Sequence, residues 1–493
     1  MIREIIFACV LSFGGFGVMS WGGLLKKEPF LSSVLFLPVG VSIYTFGSAL
    51  TYAVGINRPE IGLSLMVAIA LLSLCKTTME RKVGFFDFQV FLYSVFLITV
   101  LMLLLRFLVA PILTYDSYQI VVIGQAFGSS IFTFDLRGLV SYPFMITNFQ
   151  AGGEIFSLDY VAYLPVVTGL LAVVGATKVI SSLISSSKRQ ESLCLFATFI
   201  TMAVFGAVTY MIRSQLGYLN SHMLMAGYYS LGFALCLDIG RRSKSSIPQS
   251  LCALILGSVA FIRLEGLLLL SLLVIALMSF KAYSKRDILH IGSIVLLVPG
   301  LWYLRLAIAG ASGSTIISPR NTVLMLLIVA SPFIINILPV SRRVSTWMPS
   351  LVVIGLAGIL SLYLLTEEKA VESTLVFLSN TIATGYWGAF WWTFGPLVVL
   401  LAILGPRIRS EGAWLAVLGG GLLLILLLGS IRTDPYRTGW GDSGNRMLVH
   451  LAPLAVLYTL VKVLACFEGR DGPTNETQGK LNGSVGSQEE AIS

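Results

Sequence analysis

Apolar residues run along the chain in blocks of about 20, separated by short polar connections. Blocks of that length match the hydrocarbon thickness of a bilayer when coiled as α-helix. The segments are 4–24, 32–55, 61–76, 89–113, 160–181, 193–212, 219–238, 247–263, 265–281, 288–307, 322–340, 348–366, 384–405, 412–431 and 445–466, about fifteen in all. The period-two alternation of a membrane barrel is absent, and helices keep their backbone hydrogen bonds internal in lipid. The pattern predicts an all-α polytopic membrane protein of about 13–15 transmembrane helices. The tight hairpin 247–281 leaves that count open by one or two.

Composition agrees. Of 493 residues, 56% are hydrophobic and only 12% charged, which excludes a soluble globular protein of this length. The net charge of +9 comes mostly from loop Lys and Arg, so it marks topology and not nucleic-acid binding. Basic clusters occupy alternate connections: Lys26 and Lys27, Lys188 and Arg189, Arg241 and Arg242, Arg342 and Arg343, Arg407 and Arg409. The positive-inside rule places these in the cytoplasm, the N-terminus outside and the C-terminus inside. A bacterial or archaeal plasma membrane is the expected home. The last stretch, 467–493, is rich in Gly, Ser, Asn, Glu and Gln and is expected to be disordered and cytoplasmic. The six cysteines lie in or beside apolar segments without metal-ligand spacing, and read as packed thiols.

The opposite connections hold the candidate chemistry. Asp116, Glu154, Asp159, His222, Arg263, Glu265, Arg305, Arg320 and Arg446 all stand at helix mouths there. Charge at membrane depth is costly, so such residues are paired, line cavities or act on substrate. The longest early connection, 114–159, opens within "LTYDSYQI" (113–120) and contains "YQIVVIGQAF" (118–127), which reads as a short helix lying on the membrane surface.

This layout of helix end, acidic-aromatic motif and surface helices resembles the GT-C superfamily of integral membrane glycosyltransferases. Further similar stretches follow in order: "GSVAFIRLEGLLLL" (257–270), "GLWYLRLAIAGASGSTIISPRNT" (300–322), in which Arg320 interrupts a Pro-Asn-Thr-like motif, and "GDSGNRMLVHLAPL" (441–454). The resemblance spans roughly 89–466, making that segment a GT-C-like catalytic core and 1–88 an N-terminal three-helix membrane extension. It implies a polyprenyl-phosphate sugar donor, a lipid, glycan or protein acceptor, and transfer with inversion on the non-cytoplasmic face.

The expected roles follow from that implied reaction. A carboxylate must take the acceptor's proton, and cations must hold the phosphate left behind. Asp116 is the expected general base, with Tyr115 and Tyr118 framing the sugar; the plainer reading is a helix-capping Asp among interfacial tyrosines. Asp159, and less so Glu154, would orient the acceptor or, with Asp116, hold a divalent cation; no cofactor is required by the sequence. Either is also a simple helix N-terminal acid. His222, in "NSHMLM" (220–225), stands where relatives often carry a carboxylate. Arg446 and His450, four residues apart on one helix face, are the preferred phosphate binders, with Arg305 and Arg320 as further cations. Snorkelling, or salt bridging to Asp442 or Asp434, is the alternative for Arg446, and an interhelical hydrogen bond that for His450. Arg263 and Glu265 either pair with each other or touch substrate. The aromatic stretch "GYWGAFWW" (385–392) reads as an interfacial belt or a sugar platform. An O-antigen polymerase or ligase, or a flippase or transporter of lipid-linked sugars, would also use many helices and outer cations.

Overall fold

The computed structural model describes residues 1–468 apart from 22–23, 57, 82–84, 113, 129–143, 186, 220, 242–247, 264, 281–283, 309–317, 338–341, 409 and 432–434. For residues 80, 81, 85, 115, 116, 127, 128, 241, 342, 343, 345 and 468 it describes the backbone alone. The tail expected to be disordered therefore lies almost wholly outside the described residues.

Among those residues the fold is helical. The first four long helices are α1 (Ile2–Trp21), α2 (Pro29–Ala53), α3 (Pro59–Arg81) and α4 (Phe85–Leu108). The 114–159 connection supplies α5 (Tyr115–Gly128) and α6 (Phe144–Ile155). Next come α7 (Leu164–Ile184), α8 (Lys188–Val208), the short α9 (Tyr210–Gly217), α10 (His222–Arg241), α11 (Gln249–Ile262) and α12 (Gly266–Phe280). The last third holds α13 (Lys285–Ile308), α14 (Pro319–Ile337), α15 (Arg342–Thr366), α16 (Glu368–Ser379), α17 (Phe390–Leu404), α18 (Glu411–Ile431), α19 (Ser443–His450) and α20 (Ala452–Glu468).

The chain is a polytopic helical membrane protein. Eleven described helices are long and apolar enough to cross a bilayer, or twelve if the bent pair α19–α20 is one span. Each of the fifteen apolar segments does form helix. However, α11, α12 and α17 have only 14, 15 and 15 residues. At 1.5 Å per residue that is about 21–23 Å, short of a hydrocarbon core of about 30 Å. Counting apolar runs thus overstates the number of full-length spans.

The arrangement has a centre and a periphery. The apolar windows of α2 and α10 are 89% and 94% buried, whereas those of α8 and α15 are 11% and 17% buried and present Leu, Ile and Phe outward. Side chains from Phe7 to Val461 form one continuous apolar cluster, so helices α1–α3 share their core with the rest of the chain. Close approach fixes the centre: a Cβ on Gly227 of α10 would stand 2.2 Å from the Gly169 carbonyl oxygen of α7, and only glycine permits that crossing.

Local signals start several helices. Pro stands in the first turn of α2 and of α7, where its missing N–H costs nothing. The Ser187 hydroxyl accepts from Gln190 N at the start of α8. The start of α7 is capped from a distance: buried Glu4 accepts from Tyr163 N and Leu164 N at 2.8 and 2.9 Å. Within the 114–159 connection, α6 packs into the protein, and Phe144–Gly153 are all buried. Its Phe144 ring packs on Trp302, Tyr52 and Phe261. Its polar Gln150 pairs both ways with the Val161 backbone at 2.8 Å, which makes its burial inexpensive.

Candidate functional site: a cationic cluster at one face

The beginning of α1, the end of α4, and the starts of α7, α10 and α19 are stitched together at one face. Arg3 donates to the Ser157 carbonyl at 2.8 Å, and Tyr163 Oη to the Val109 carbonyl at 3.3 Å. Ile112 N donates to the Gly217 carbonyl at 2.6 Å, and Ile112 and Tyr218 form a parallel bridge. The segment after α4 is thereby docked against the segment that enters α10.

Tyr218 connects that segment to the last span. Its buried phenol oxygen accepts from the Thr114 hydroxyl at 2.9 Å and from Arg446 Nη1 at 3.0 Å. The Arg446 guanidinium also lies over the Tyr218 ring, 5.4 Å from its centre. Ser117 adds a hydroxyl bond to the Leu219 carbonyl at 3.3 Å. The backbone of Asp116 thus lies between two residues, Thr114 and Ser117, that bind the Tyr218–Leu219 segment. The side chains of Tyr115 and Asp116 lie outside those described.

Deeper in the same region, His222 of α10 and His450 of α19 are both buried. Their rings are nearly parallel with centres 5.1 Å apart, and His222 Nδ1 stands 3.0 Å from His450 Nε2. Arg263 Nη1 is 3.1 Å from His222 Nε2 and 3.2 Å from Ser221 Oγ. A guanidinium only donates, so His222 Nε2 is the acceptor and its proton sits on Nδ1. That proton is donated to His450 Nε2, which leaves the single ring proton of a neutral His450 on Nδ1. His450 Nδ1 is buried with no hydrogen-bond partner among the described residues. It is a directed donor at the end of a relay, and Arg446 lies within electrostatic range of the same His222.

Glu265 pairs with Arg263 across the α11–α12 turn. Among the described side chains of the cluster, with both imidazoles neutral, the Arg263 and Arg446 guanidiniums stand against the Glu265 carboxylate, a balance that suits an anion. Buried amides hold its last segment in place. Asn445 donates to the Gly385 and Gly439 carbonyls at 3.0 and 3.3 Å and accepts from Trp387 Nε1. Asn380 accepts from Gly439 N at 2.8 Å and donates to the Arg437 carbonyl at 2.8 Å. Asp442 caps α19, accepting from Asn445 N and Arg437 N at 3.1 and 2.9 Å, while Arg446 turns instead toward Tyr218. Trp387 is buried in this scaffold, whereas Tyr386 and Trp392 of the aromatic stretch are exposed.

Of the sequence-predicted residues, the structure brings together His222, Arg263, Glu265, Arg446 and His450. Asp159 is elsewhere, in a polar recess of ≈ 280 Å³ lined also by Arg3, Glu4, Arg106, Tyr160 and Tyr163. Glu154 lies near that region; burial, with repulsion from Glu60, raises its carboxyl above the usual range. Tyr118 is exposed, and Arg305 and Arg320 sit at the ends of α13 and α14. Among the described residues no three His, Cys, Asp or Glu converge as a metal site. Tyr218, Ser221, Asn380 and Asn445 were not singled out by sequence; uncharged polar residues at helix mouths carry no distinctive spacing. Compared with known proteins, the chain matches no family model, no curated protein and no solved structure.

Proposed function

We propose that the protein is an inverting membrane glycosyltransferase that moves a sugar from a polyprenyl-phosphate donor to an acceptor, with the cationic cluster facing the non-cytoplasmic side. One observation carries this reading: Thr114, Tyr218 and Arg446 form a continuous hydrogen-bonded link between the start of the Asp116 helix and the half-buried cations. It brings Thr114, two residues before Asp116, and Arg446, distant in sequence, to a single face, which supports the assignment of base and phosphate site there.

In this mechanism the donor phosphate sits against Arg446 and Arg263, with His450 Nδ1–H donating to one of its oxygens. As the anomeric C–O bond breaks, its electron pair and negative charge pass to the phosphate oxygen. Cations held in place beforehand stabilise that charge without reorganising. The acceptor oxygen attacks the opposite side of the anomeric carbon and its proton passes to the Asp116 carboxylate. Glu265 keeps Arg263 aimed, and Tyr218 keeps Arg446 aimed.

The test is transfer of radiolabelled sugar from a panel of polyprenyl-phosphate monosaccharides by the full-length protein in proteoliposomes, supplied with glycolipid and glycan acceptors. Wild-type transfer that falls about 10²–10³-fold in Arg446→Gln supports the proposal, because loss of one preorganised anion donor costs that much. Movement of intact lipid-linked sugar across the bilayer without transfer would replace it by a flippase.

A further inference from the structure

A second feature lies on the flank of the bundle. Helices α13 and α14 border a groove of ≈ 670 Å³ whose walls are almost wholly aliphatic or aromatic. It extends from Ile288 to Leu304 on α13, about 24 Å at helical rise, which spans most of a hydrocarbon core. The groove runs along the two helices and is open on its lipid-facing side. An elongated apolar groove of that length fits a hydrocarbon chain lying along the helices. Glycines keep it open: a Cβ on Gly300 would meet only Leu326, at 3.9 Å.

The groove is charged at its end. On α14, Val323, Leu327, Ala330, Ile334 and Ile337 line it at alternating spacings of four and three, and Arg320 precedes Val323 by three on the same stripe. On α13, Leu297 and Leu301 line it and Arg305 follows four residues on. The helices are antiparallel neighbours, so both arginines fall at the same end, and both are exposed. That end belongs to the face of the cationic cluster, because Tyr303 Oη donates to the Ala260 carbonyl at 2.7 Å, three residues before Arg263. The far end carries Lys285 and Arg286 beside Asp287, whose carboxylate accepts from Ser284.

We infer that the α13–α14 groove binds the hydrocarbon chain of a single-chain lipid phosphate, with Arg305 and Arg320 holding the phosphate head. Apolar walls and guanidiniums at one end complement an amphiphile of that build; Arg suits phosphate because its fork donates two parallel hydrogen bonds. The inference goes beyond the transfer reaction and concerns binding, whatever the lipid's fate.

The test uses a photoreactive long-chain alkyl monophosphate with the full-length protein in phosphatidylcholine nanodiscs, and maps the labelled peptides by mass spectrometry. Label is expected on 288–304 and 323–337, competed by unlabelled alkyl phosphate but not by the matching alcohol or by inorganic phosphate. Gly300→Phe, which fills the groove, is expected to cut labelling at least tenfold, and so is Arg305→Gln combined with Arg320→Gln. Lys285→Gln with Arg286→Gln leaves it unchanged. The charge variants leave the helix packing intact, so they separate loss of binding from loss of fold. Equal competition by the alcohol, even labelling of the lipid-facing helices 188–208 and 346–366, cross-linking of two copies through this groove in place of label, or dependence on Lys285 and Arg286 would each overturn the inference.

Discussion

Tyr218→Phe isolates the link on which the proposed mechanism depends. The substitution keeps a buried ring and its stacking against Arg446, and removes one oxygen that accepts from Thr114 at 2.9 Å and Arg446 at 3.0 Å. A hydrogen bond to a charged group contributes about 1.5–3 kcal/mol and one between neutral groups about 1 kcal/mol. Together the loss is about 2–4 kcal/mol, less whatever water restores at the half-buried guanidinium. If the link aims Arg446 at the phosphate, transfer falls about 10²-fold with a smaller change in donor binding, since each 1.4 kcal/mol is tenfold. A double-mutant cycle of Tyr218→Phe with Arg446→Gln, read as single-turnover transfer, measures the coupling directly. The expected coupling energy is about 1.5–3 kcal/mol, because the second change removes a group the first has already released. Additivity within about 0.5 kcal/mol would refute the reasoning and reduce Tyr218 to packing.

Three further outcomes test the scaffold, each read as thermal unfolding in detergent. Glu4→Ala leaves the Tyr163 and Leu164 N–H groups without their acceptor and is expected to cost about 2–4 kcal/mol, while Glu4→Gln, which keeps an oxygen there, costs less than half as much. Equal losses in the two variants would rule out the cap. Gly227→Ala forces a Cβ to within 2.2 Å of the Gly169 oxygen and is expected to abolish folded protein, whereas Gly355→Ala, with nothing within 4 Å, is neutral or stabilising by about 1 kcal/mol. Asn445→Leu strands the Gly385 and Gly439 carbonyls and the Trp387 N–H, and is expected to cost about 3–5 kcal/mol; a loss below 1 kcal/mol would mean that Asn445 does not pin these loops.

The membrane helices are legible in the sequence because the hydrophobic signal is local: a run of apolar residues needs no partner to be recognised. The Arg263–Glu265 pair is legible for the same reason, lying two residues apart at a turn. The His222–His450 contact is not, since those residues are 228 apart and only packing of α19 against α10 joins them. Glu4 reads as an acid at the mouth of its own helix, yet it caps another that begins 160 residues later. Helix α6 carries Thr147, Asn148 and Gln150, which suggests a surface position. The pairing of Gln150 with Val161 offsets the burial of that one side chain, and no periodicity reveals it. Span counting fails at α11, α12 and α17, where the apolar run is real but the helix has only 14, 15 and 15 residues.

The most direct measurement is sugar transfer by Asp116→Asn beside wild type, with donor binding measured on the same preparations. The account predicts that donor binding persists while transfer falls by about 10²–10⁴-fold, the usual contribution of a general base. Equal transfer by the two proteins would contradict it, and would leave the cationic cluster as an anion site without Asp116 in its chemistry.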